Sequence, residues 1–471
     1  MAFGPNTWLA LAGYACIAFA WWAHGRDRTV WAIALLALGA GLLRTGPALD
    51  PTLHEWDERY HALVAKHLID DPFKPTLHTD PNTPHIEGSW AHGHIWLNKP
   101  PLPLWSIAGS MKCFGAFPWA VRIPSLLLSI CAVVLLYGLG RALYSERVAF
   151  WAALLFAING HLIELASGRT SNDHPDTFLM CLVLAALFAA ERMVRQSSIR
   201  WAALAGACIG LAFLSKSWPA AIVLPVAVVW QWNRPEVDRK AAISLFATLL
   251  AIAMLVALPW SLYSRMAFPE VAQIASASHW QHFTESLEDH GRPWTYYWVQ
   301  LPMLHGELAP LALLLFLLGP FRNAPAKHAA LVVWWLVPYL IFSVAVTKMP
   351  GYVVIAAPAL CLMLGVMIEQ WQNTAQGTSG KVIAQIGVAL LVLLPLRSSL
   401  DRVAPWRQPG PRYIILDAWK NVEHNTVVTD CPWPIELMFH TPVVAAYQHS
   451  LTSEQREQLI AKGFKIRSFR E

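Results

Sequence analysis

The chain has 471 residues, of which 56% are hydrophobic and 14% charged, and its mean hydropathy is +0.40. A soluble domain carries about 25% charged residues, so this composition excludes an ordinary soluble protein and indicates a membrane protein. The net charge of +5 is too small, and the Lys and Arg residues are too scattered, for a nucleic-acid-binding protein.

Apolar segments recur along the whole chain. Crossing a bilayer takes roughly 20 apolar residues, and we predict about twelve transmembrane helices. The first lacks a basic leader and a cleavage site, so we expect an uncleaved span. The stretch 201–232 is interpreted as two short helices broken at 216–219. The helices are expected to begin near Trp8, Val30, Trp119, Val148, Asp176, Trp201, Ser217, Ala241, Val299, Ala329, Tyr352 and Val382.

The basic residues of the short connections fall on one side if the helices alternate. Because such residues concentrate in cytoplasmic loops, that side is predicted to be cytoplasmic. The basic residues in question are Arg26, Arg28, Arg141, Arg147, Arg192, Arg195, Arg200, Arg234, Arg239, Lys240, Arg322, Lys327 and Lys381.

The longer polar segments then lie outside, at 50–118, 166–175, 263–298, 347–351 and from about 401. The last of them mixes short apolar runs with an amphipathic helix, which predicts a small α/β domain over 401–471 after a membrane domain over 1–400. We find no internal repeat, which weighs against many secondary transporters.

The first outside segment begins with Trp56-Asp57-Glu58-Arg59-Tyr60. A carboxylate held by an ion pair at a membrane surface can act as a general base. The alternative is a solvated helix start, where acidic residues are favoured by the helix dipole.

A second motif, Lys99-Pro100-Pro101-Leu102, places a lysine before two prolines that fix the backbone. An ammonium held on stiff backbone near the membrane surface suits a phosphate group. The alternative is a lysine that only anchors the chain at the interface.

Together the two motifs strongly resemble those of the lipid-A aminoarabinose transferases and the protein O-mannosyltransferases. Five further blocks resemble theirs in the same order along the chain. They are 119–125 (WAVRIPS), 168–175 (GRTSNDHP), 210–216 (GLAFLSK), 258–260 (LPW) and 343–352 (SVAVTKMPGY).

The resemblance implies an all-α GT-C fold with about twelve transmembrane helices, juxtamembrane helices on the outer face and a small C-terminal α/β appendage. It also implies an inverting glycosyltransferase of the bacterial inner membrane whose active site faces the periplasm. The donor would be a polyprenyl-phosphate sugar and the acceptor a lipid, glycan or protein, and no cofactor would be required.

The family's residue roles transfer to matching positions of this chain. Asp57 would be the base or electrostatic partner of the acceptor, and Asp173 a second carboxylate near the sugar. Lys99 and Tyr352 would bind the carrier phosphate, with Lys348 close by. The remaining substrate-binding candidates are Glu58, Arg59, Tyr60, Arg169 and His282.

Two positions depart from the family pattern. Asn98 stands where the aminoarabinose enzymes have Glu before the motif lysine. His282 stands where they have an arginine that helps to hold phosphate, a duty that Arg292 or Arg265 could take over. Because of these two changes, the sequence does not decide whether this chain depends on a metal or to which subfamily it is most similar.

Histidines crowd the first outside segment. His92 and His94 could chelate zinc, as could His279 together with Asn98, but no Cys pair or helical His spacing supports a structural site. Ordinary loop histidines are the alternative.

The sequence leaves two rival functions: another lipid-carrier enzyme such as an oligosaccharide ligase or polymerase, and a transporter. A transporter would place charges near the middle of spans, whereas here they gather at span ends.

Overall fold

The structure is a computed structural model, and it describes residues 5–79, 86, 89–170, 174–234, 236, 238–403, 411–446 and 451–470. These residues are mainly helical. In chain order the helices are α1 (Pro5–His24), α2 (Thr29–Ala48), α3 (Asp57–His67), α4 (Pro101–Phe114), α5 (Pro118–Leu143), α6 (Glu146–Ala157), α7 (Gly160–Ala166), α8 (His174–Gln196), α9 (Ile199–Lys216), α10 (Val223–Trp232), α11 (Arg239–Ala267), α12 (Pro269–Thr284), α13 (Tyr296–His305), α14 (Ala309–Phe316), α15 (Pro325–Val344), α16 (Ala357–Thr374), α17 (Gly377–Val403), α18 (Pro411–Asp417), α19 (Pro434–His440) and α20 (Ser453–Ala461).

Three short irregular helical segments and three strands complete the described elements. 3-10 turns at Trp218–Ile222 and Pro350–Ala356 precede α10 and α16, and a π-helical turn at Leu317–Phe321 follows α14. The strands are β1 (Thr426–Thr429), β2 (Val444–Ala445) and β3 (Lys465–Ser468).

Eight helices in the described part of the chain are long and apolar enough to cross a membrane, or ten if each of two bent pairs is one span. Each of the twelve predicted starts lies in or beside a helix. Four of the twelve are not among the eight: two are bent pairs, the apolar helix Trp218–Trp232 is shorter, and α1 is not among the eight long apolar helices. The division falls where predicted: α9 ends at Lys216, and Ser217 adopts a φ of 61° before Pro219.

The chain divides into two compact units. Unit 1 comprises Met1–Ala48, Ser125–Pro259 and Gln281–Pro405, and it contains most of the apolar helices. Unit 2 comprises Leu49–Pro124, Trp260–Trp280 and Trp406–Glu471. The C-terminal segment is therefore grouped with the first polar segment in one unit.

Close helix packing in unit 1 depends on small residues. A Cβ atom at Gly39 of α2 would stand 2.8 Å from the carbonyl oxygen of Gly13 in α1, so only glycine permits this approach. Such small-residue contacts are typical of helices that pack in lipid, where apolar burial gives little drive between helices.

Two pairs of consecutive helices in unit 1 are bent, and the side chain of Asn159 connects the two pairs. α6 and α7 are bent by 61° and α13 and α14 by 105°. Between α6 and α7, Asn159 Oδ1 accepts a hydrogen bond from Leu162 N (3.0 Å), and its Nδ2 donates to Leu304 O (2.9 Å). Fully buried Arg44 of α2 donates to Ala157 O (2.9 Å) at the end of α6. Backbone groups freed by the breaks are thus satisfied, as an apolar environment demands.

Unit 2 contains the predicted α/β element. Its three strands form a parallel sheet in the order β2-β1-β3, in which Val427 pairs with Val444 on one side and with Ile466 on the other. α19 connects β1 to β2, and α20 connects β2 to β3.

A buried charge network holds the start of α3 in unit 2. Arg122 of α5 donates to both carboxylate oxygens of Glu58, from Nε to Oε1 at 2.7 Å and from Nη2 to Oε2 at 2.9 Å. Its guanidinium also donates to Asp50 O and Thr52 O, both at 2.6 Å. Arg122 and Glu58 are at most 1% exposed, so this bidentate pair is shielded from solvent.

His54 completes the network. Its Nε2 lies 2.9 Å from Asp50 Oδ2, and its Nδ1 lies 2.9 Å from Glu58 Oε2. With each ring nitrogen facing a carboxylate, the doubly protonated ring can donate twice. Burial lowers the pKa of His54, but the charges and hydrogen bonds of Glu58 and Asp50 outweigh burial and the nearby Arg122, so the net pKa is raised.

The raised pKa predicts a pH-dependent contribution to stability. His54 should stabilise the fold fully below its unfolded-state pKa of about 6.5 and lose this effect as the pH rises through the folded-state value. His54→Asn should therefore lower Tm by roughly 2–5 °C at pH 6 and by less at pH 8.5. Thermal unfolding in detergent measures both values, with the exposed His424→Asn as control. An equal loss at the two pH values would contradict a charged His54.

Candidate active site

Asp57 opens α3 and is paired with Lys99. The Lys99 Nζ lies 3.2 Å from Asp57 Oδ2, and the two side chains are 17% and 13% exposed. The residue before Asp57 is strained: Trp56 has a φ of 69°, in the region that non-glycine residues rarely adopt. The two residues that the sequence singled out first are thus within ion-pair distance of each other.

Lys99 is held from several sides. It precedes Pro100, whose φ of −63° and ψ of 159° lead into α4 at Pro101. Its ammonium lies 4.8 Å from the centre of the Trp90 ring, a cation–π distance. Tyr60 of α3 packs against the same ring, with centroids 5.6 Å apart. Tyr60 therefore supports the aromatic residue beside Lys99.

The side chains of Asp57, Glu58 and Arg59 face three different groups. Successive helical residues are rotated by about 100°, and here Asp57 pairs with Lys99, Glu58 with Arg122, and Arg59 with Glu436 of α19 (Nη1 to Oε1, 3.2 Å). Burial lowers the pKa of Arg59, but Glu436 and other neighbours outweigh it, so the net pKa is raised.

Of the described histidines of the first polar segment, His54, His61 and His78 are buried, and His67, His92 and His94 are partly buried. His94 Nδ1 hydrogen-bonds to the His78 carbonyl oxygen, and burial lowers the pKa of His92 to about 4. His279 lies on the exposed side of α12. Among the residues that the structure describes, no three or more His, Cys, Asp or Glu side chains are grouped as a metal site would require.

Unit 1 contains a second carboxylate–ammonium pair. Lys216, the last residue of α9, donates from Nζ to Asp176 Oδ1 at 2.5 Å. The same ammonium lies 4.9 Å from the ring centre of Tyr352. Asp176 is in the first turn of α8 and comes three residues after Asp173 in the sequence; Asp173 itself lies outside the described residues.

The segment that carries Lys348 runs beside the segment that carries His282. Thr347 N donates to His282 O (3.0 Å), and Lys348 N donates to His290 O (3.0 Å). The Lys348 ammonium is buried and donates to Arg292 O (2.9 Å) and to the Ala345 carbonyl. Lys348 therefore joins two loops of unit 1.

Arg169 follows α7 and is bound to the end of α17. Its Nη1 donates to Arg402 O (2.7 Å), and Arg402 in turn pairs with Glu164 (Nε to Oε2, 3.0 Å). This cluster fixes the backbone directly before the segment with Asp173.

Several residues of these clusters were not selected from the sequence. Lys216 ends the motif 210–216, and its position before the break at Ser217 was an available signal. Arg122 lies within the motif 119–125, which assigns it no role. The spacing of four residues from His54 to both Asp50 and Glu58 is a local signal, whereas nothing local points to Trp90 or to Glu436, which lies 377 residues from Arg59.

The chemistry of both clusters is that of ammonium groups, carboxylates and aromatic rings. In each, a lysine touches an aspartate and the face of an aromatic residue. Lysine can bind phosphate as a compact charge, and a carboxylate can accept a proton from a hydroxyl. The described residues thus offer the groups that transfer from a phosphate-linked donor requires.

Comparisons with known proteins identify similar sequences and a similar fold. Residues 98–263 match the family described as dolichyl-phosphate-mannose-protein mannosyltransferase. Undecaprenyl phosphate-alpha-4-amino-4-deoxy-L-arabinose arabinosyl transferase 2 of Pseudomonas fluorescens is 30% identical over 77% of this chain and 61% of that protein. The corresponding transferase of Pseudomonas aeruginosa strain LESB58 is 31% identical over 77% of this chain and 64% of that protein. The chain thus spans less than two thirds of the length of these relatives.

Among solved structures, ArnT from Cupriavidus metallidurans bound to undecaprenyl phosphate has a TM-score of 0.63 at 16% identity, covering 91% of this chain and 88% of that chain. At this identity the likeness shows the fold. The resemblance and fold class predicted from the sequence are therefore confirmed: the chain is a multi-span membrane protein with the GT-C fold, similar to the aminoarabinose transferases.

Proposed function

We propose that the chain is an inverting glycosyltransferase that moves a sugar from a polyprenyl-phosphate carrier to a lipid, glycan or protein acceptor. The observation that carries the proposal is the Asp57–Lys99 pair at the starts of α3 and α4. It combines a proton acceptor with a phosphate-binding cation. The similarity to aminoarabinose transferases supports the donor class.

In this reaction the acceptor hydroxyl oxygen forms a bond to the anomeric carbon while the bond from that carbon to the phosphate oxygen breaks. The electron pair leaves with the polyprenyl phosphate, and the hydroxyl proton passes to Asp57. Positive charge from Lys99 stabilises the negative charge that develops on the leaving phosphate. No metal is needed for that step if ammonium groups supply the charge.

Lys99 and Asp57 neutralise each other in the absence of a donor. We infer that the donor phosphate competes for the ammonium, so that donor binding frees the Asp57 carboxylate for the acceptor. Lys99 keeps its contact with Trp90 throughout, because a ring face and an anion occupy different sides of an ammonium.

The remaining candidates receive separate roles. Tyr352 and Lys216 are proposed as further donor-phosphate contacts, with Lys348, His282 and Arg169 supporting the loops around them. Asp173 is proposed as the second carboxylate near the sugar on the basis of its motif. We assign Glu58 and Arg59 to holding α3, because their side chains already face Arg122 and Glu436.

We further propose that the site faces the periplasm of a bacterial inner membrane, which the asymmetry of Lys and Arg supports. In a Cys113→Ser background, Glu285→Cys should be labelled by an impermeant thiol reagent in intact spheroplasts. Arg322→Cys, on the predicted cytoplasmic side, should be labelled only after lysis. The reverse pattern would contradict the orientation.

Asp57→Asn should leave the fold intact and lower single-turnover transfer by about 10²–10⁴-fold, the usual contribution of a positioned base. The assay uses a purified polyprenyl-phosphate sugar, with the exposed Asp71→Asn as matched control. An acceptor that attacks through an ionised phosphate should depend on Asp57 less, because it has no proton to lose. Wild-type transfer by Asp57→Asn would show that another group is the base.

Lys99→Ala should weaken donor binding by roughly ten- to a hundred-fold, the value of a charge-assisted contact. Lys112→Ala, near the end of α4, is the matched control and should bind normally. Unchanged donor affinity in Lys99→Ala would favour a lysine that only anchors the chain at the interface.

A further inference from the structure

The C-terminal segment of unit 2 is attached to α3 at two points and to the chain just before it at a third. Arg59 pairs with Glu436, Lys66 Nζ donates to the carbonyls of Met438 and Phe439 (both 2.9 Å), and Tyr413 OH donates to Leu53 O (2.8 Å). Apolar residues of α3 and α19 also belong to one hydrophobic core. The helix that begins at Asp57 is therefore bound along its length to a segment that lies outside residues 98–263, the part matched by the family comparison.

Glu436 has a buried carboxylate. Its side chain is 1% exposed, and it accepts from Arg59 Nη1 at 3.2 Å. A carboxylate is buried at a high desolvation cost, so removing the positive charge of Arg59 would be strongly destabilising. The pair therefore gives the Arg59 side of α3 one strongly preferred position.

α3 cannot hold its own orientation. It has 11 residues, and isolated helices of this length are marginal in water. Two ion pairs fix its rotation about the helix axis: Glu58 with Arg122 in one direction and Arg59 with Glu436 in another. Side-chain ends lie roughly 5–6 Å from a helix axis. A rotation of about 10° would therefore move the Asp57 carboxylate by about 1 Å, and a misplacement of this size can cost about 10²-fold in rate.

We propose that Glu436 of the C-terminal segment is a positioning residue for the transferase reaction, which sets the rotation of α3 and thereby the direction of the Asp57 carboxylate. Arg59 then acts as the partner of Glu436 and not as a ligand of the donor. This inference rests on the proposed function for its kinetic part only, because the orientation of α3 can be measured without turnover.

The kinetic test compares Glu436→Gln with wild type in single-turnover transfer. The rate should fall by about ten- to a hundred-fold, while donor KM stays within about threefold. Glu436→Asp, which keeps the charge, should retain more of the rate. Glu423→Gln, which breaks the exposed Glu423–Lys465 pair of the same segment, is the matched control and should transfer normally.

The exchange of charges separates positioning from ligand binding. If Arg59 and Glu436 only hold each other, Arg59→Glu combined with Glu436→Arg should recover at least about tenfold over the slower single variant. If Arg59 binds the donor phosphate, the combined variant should stay inactive and donor KM should rise in Arg59→Glu. That second result would overturn the proposal.

A structural readout covers the cases in which a variant misfolds or the chain transfers no sugar. Hydrogen exchange of the amides of α3 should be faster in Glu436→Gln than in wild type, with exchange in β1 unchanged. Unchanged exchange in α3 would overturn the positioning role. If wild type itself fails to transfer, the proposed function fails, and hydrogen exchange alone decides the role of Glu436.

Discussion

The bidentate pair between Arg122 and Glu58 is the interaction on which the arrangement of unit 2 depends. Two charges removed from water are costly, and removing one partner of such a pair is strongly destabilising. Arg122 also donates to the backbone carbonyls of Asp50 and Thr52, so one guanidinium holds the chain before α3 and the start of the helix. The His54 ring lies between the carboxylates of Asp50 and Glu58 and is close to both. The strained backbone at Trp56, directly before Asp57, persists within this fixed frame.

The described residues show the same local arrangement in both units. Lys99 touches Asp57 and the Trp90 ring in unit 2, and Lys216 touches Asp176 and the Tyr352 ring in unit 1. An ammonium between a carboxylate and an aromatic face stays partly compensated at all times, yet it can exchange the carboxylate for a phosphate without losing the ring contact. Such an exchange would couple phosphate binding to the release of a carboxylate, as the proposed transferase reaction requires.

Polar groups among the apolar helices of unit 1 have mainly structural roles. Arg44 and Asn159 bond to backbone carbonyls exposed by helix breaks, so the bent pairs leave few polar groups unsatisfied in an apolar environment. The breaks shorten two predicted spans, and they account for part of the difference between twelve predicted helices and eight to ten long ones. Periodicity and hydropathy detect apolar length, whereas bending depends on which side chain can reach a freed carbonyl, and that partner lies on another helix.

The sequence by itself determined that the chain is a multi-span helical membrane protein with the GT-C fold, because apolar length, charge asymmetry and the order of short motifs are local properties. It also selected Asp57 and Lys99, since each lies in a motif with distinctive neighbours. Only the tertiary structure decided what these residues touch. The next two residues of α3 depend on it as well: Arg122 lies 64 positions from Glu58 and Glu436 lies 377 positions from Arg59, and no local pattern records such pairings. Adjacent residues of α3 also differ in their roles. The rotation of about 100° per residue directs Asp57, Glu58 and Arg59 towards three different partners. Tertiary packing alone decides which partner lies in each direction.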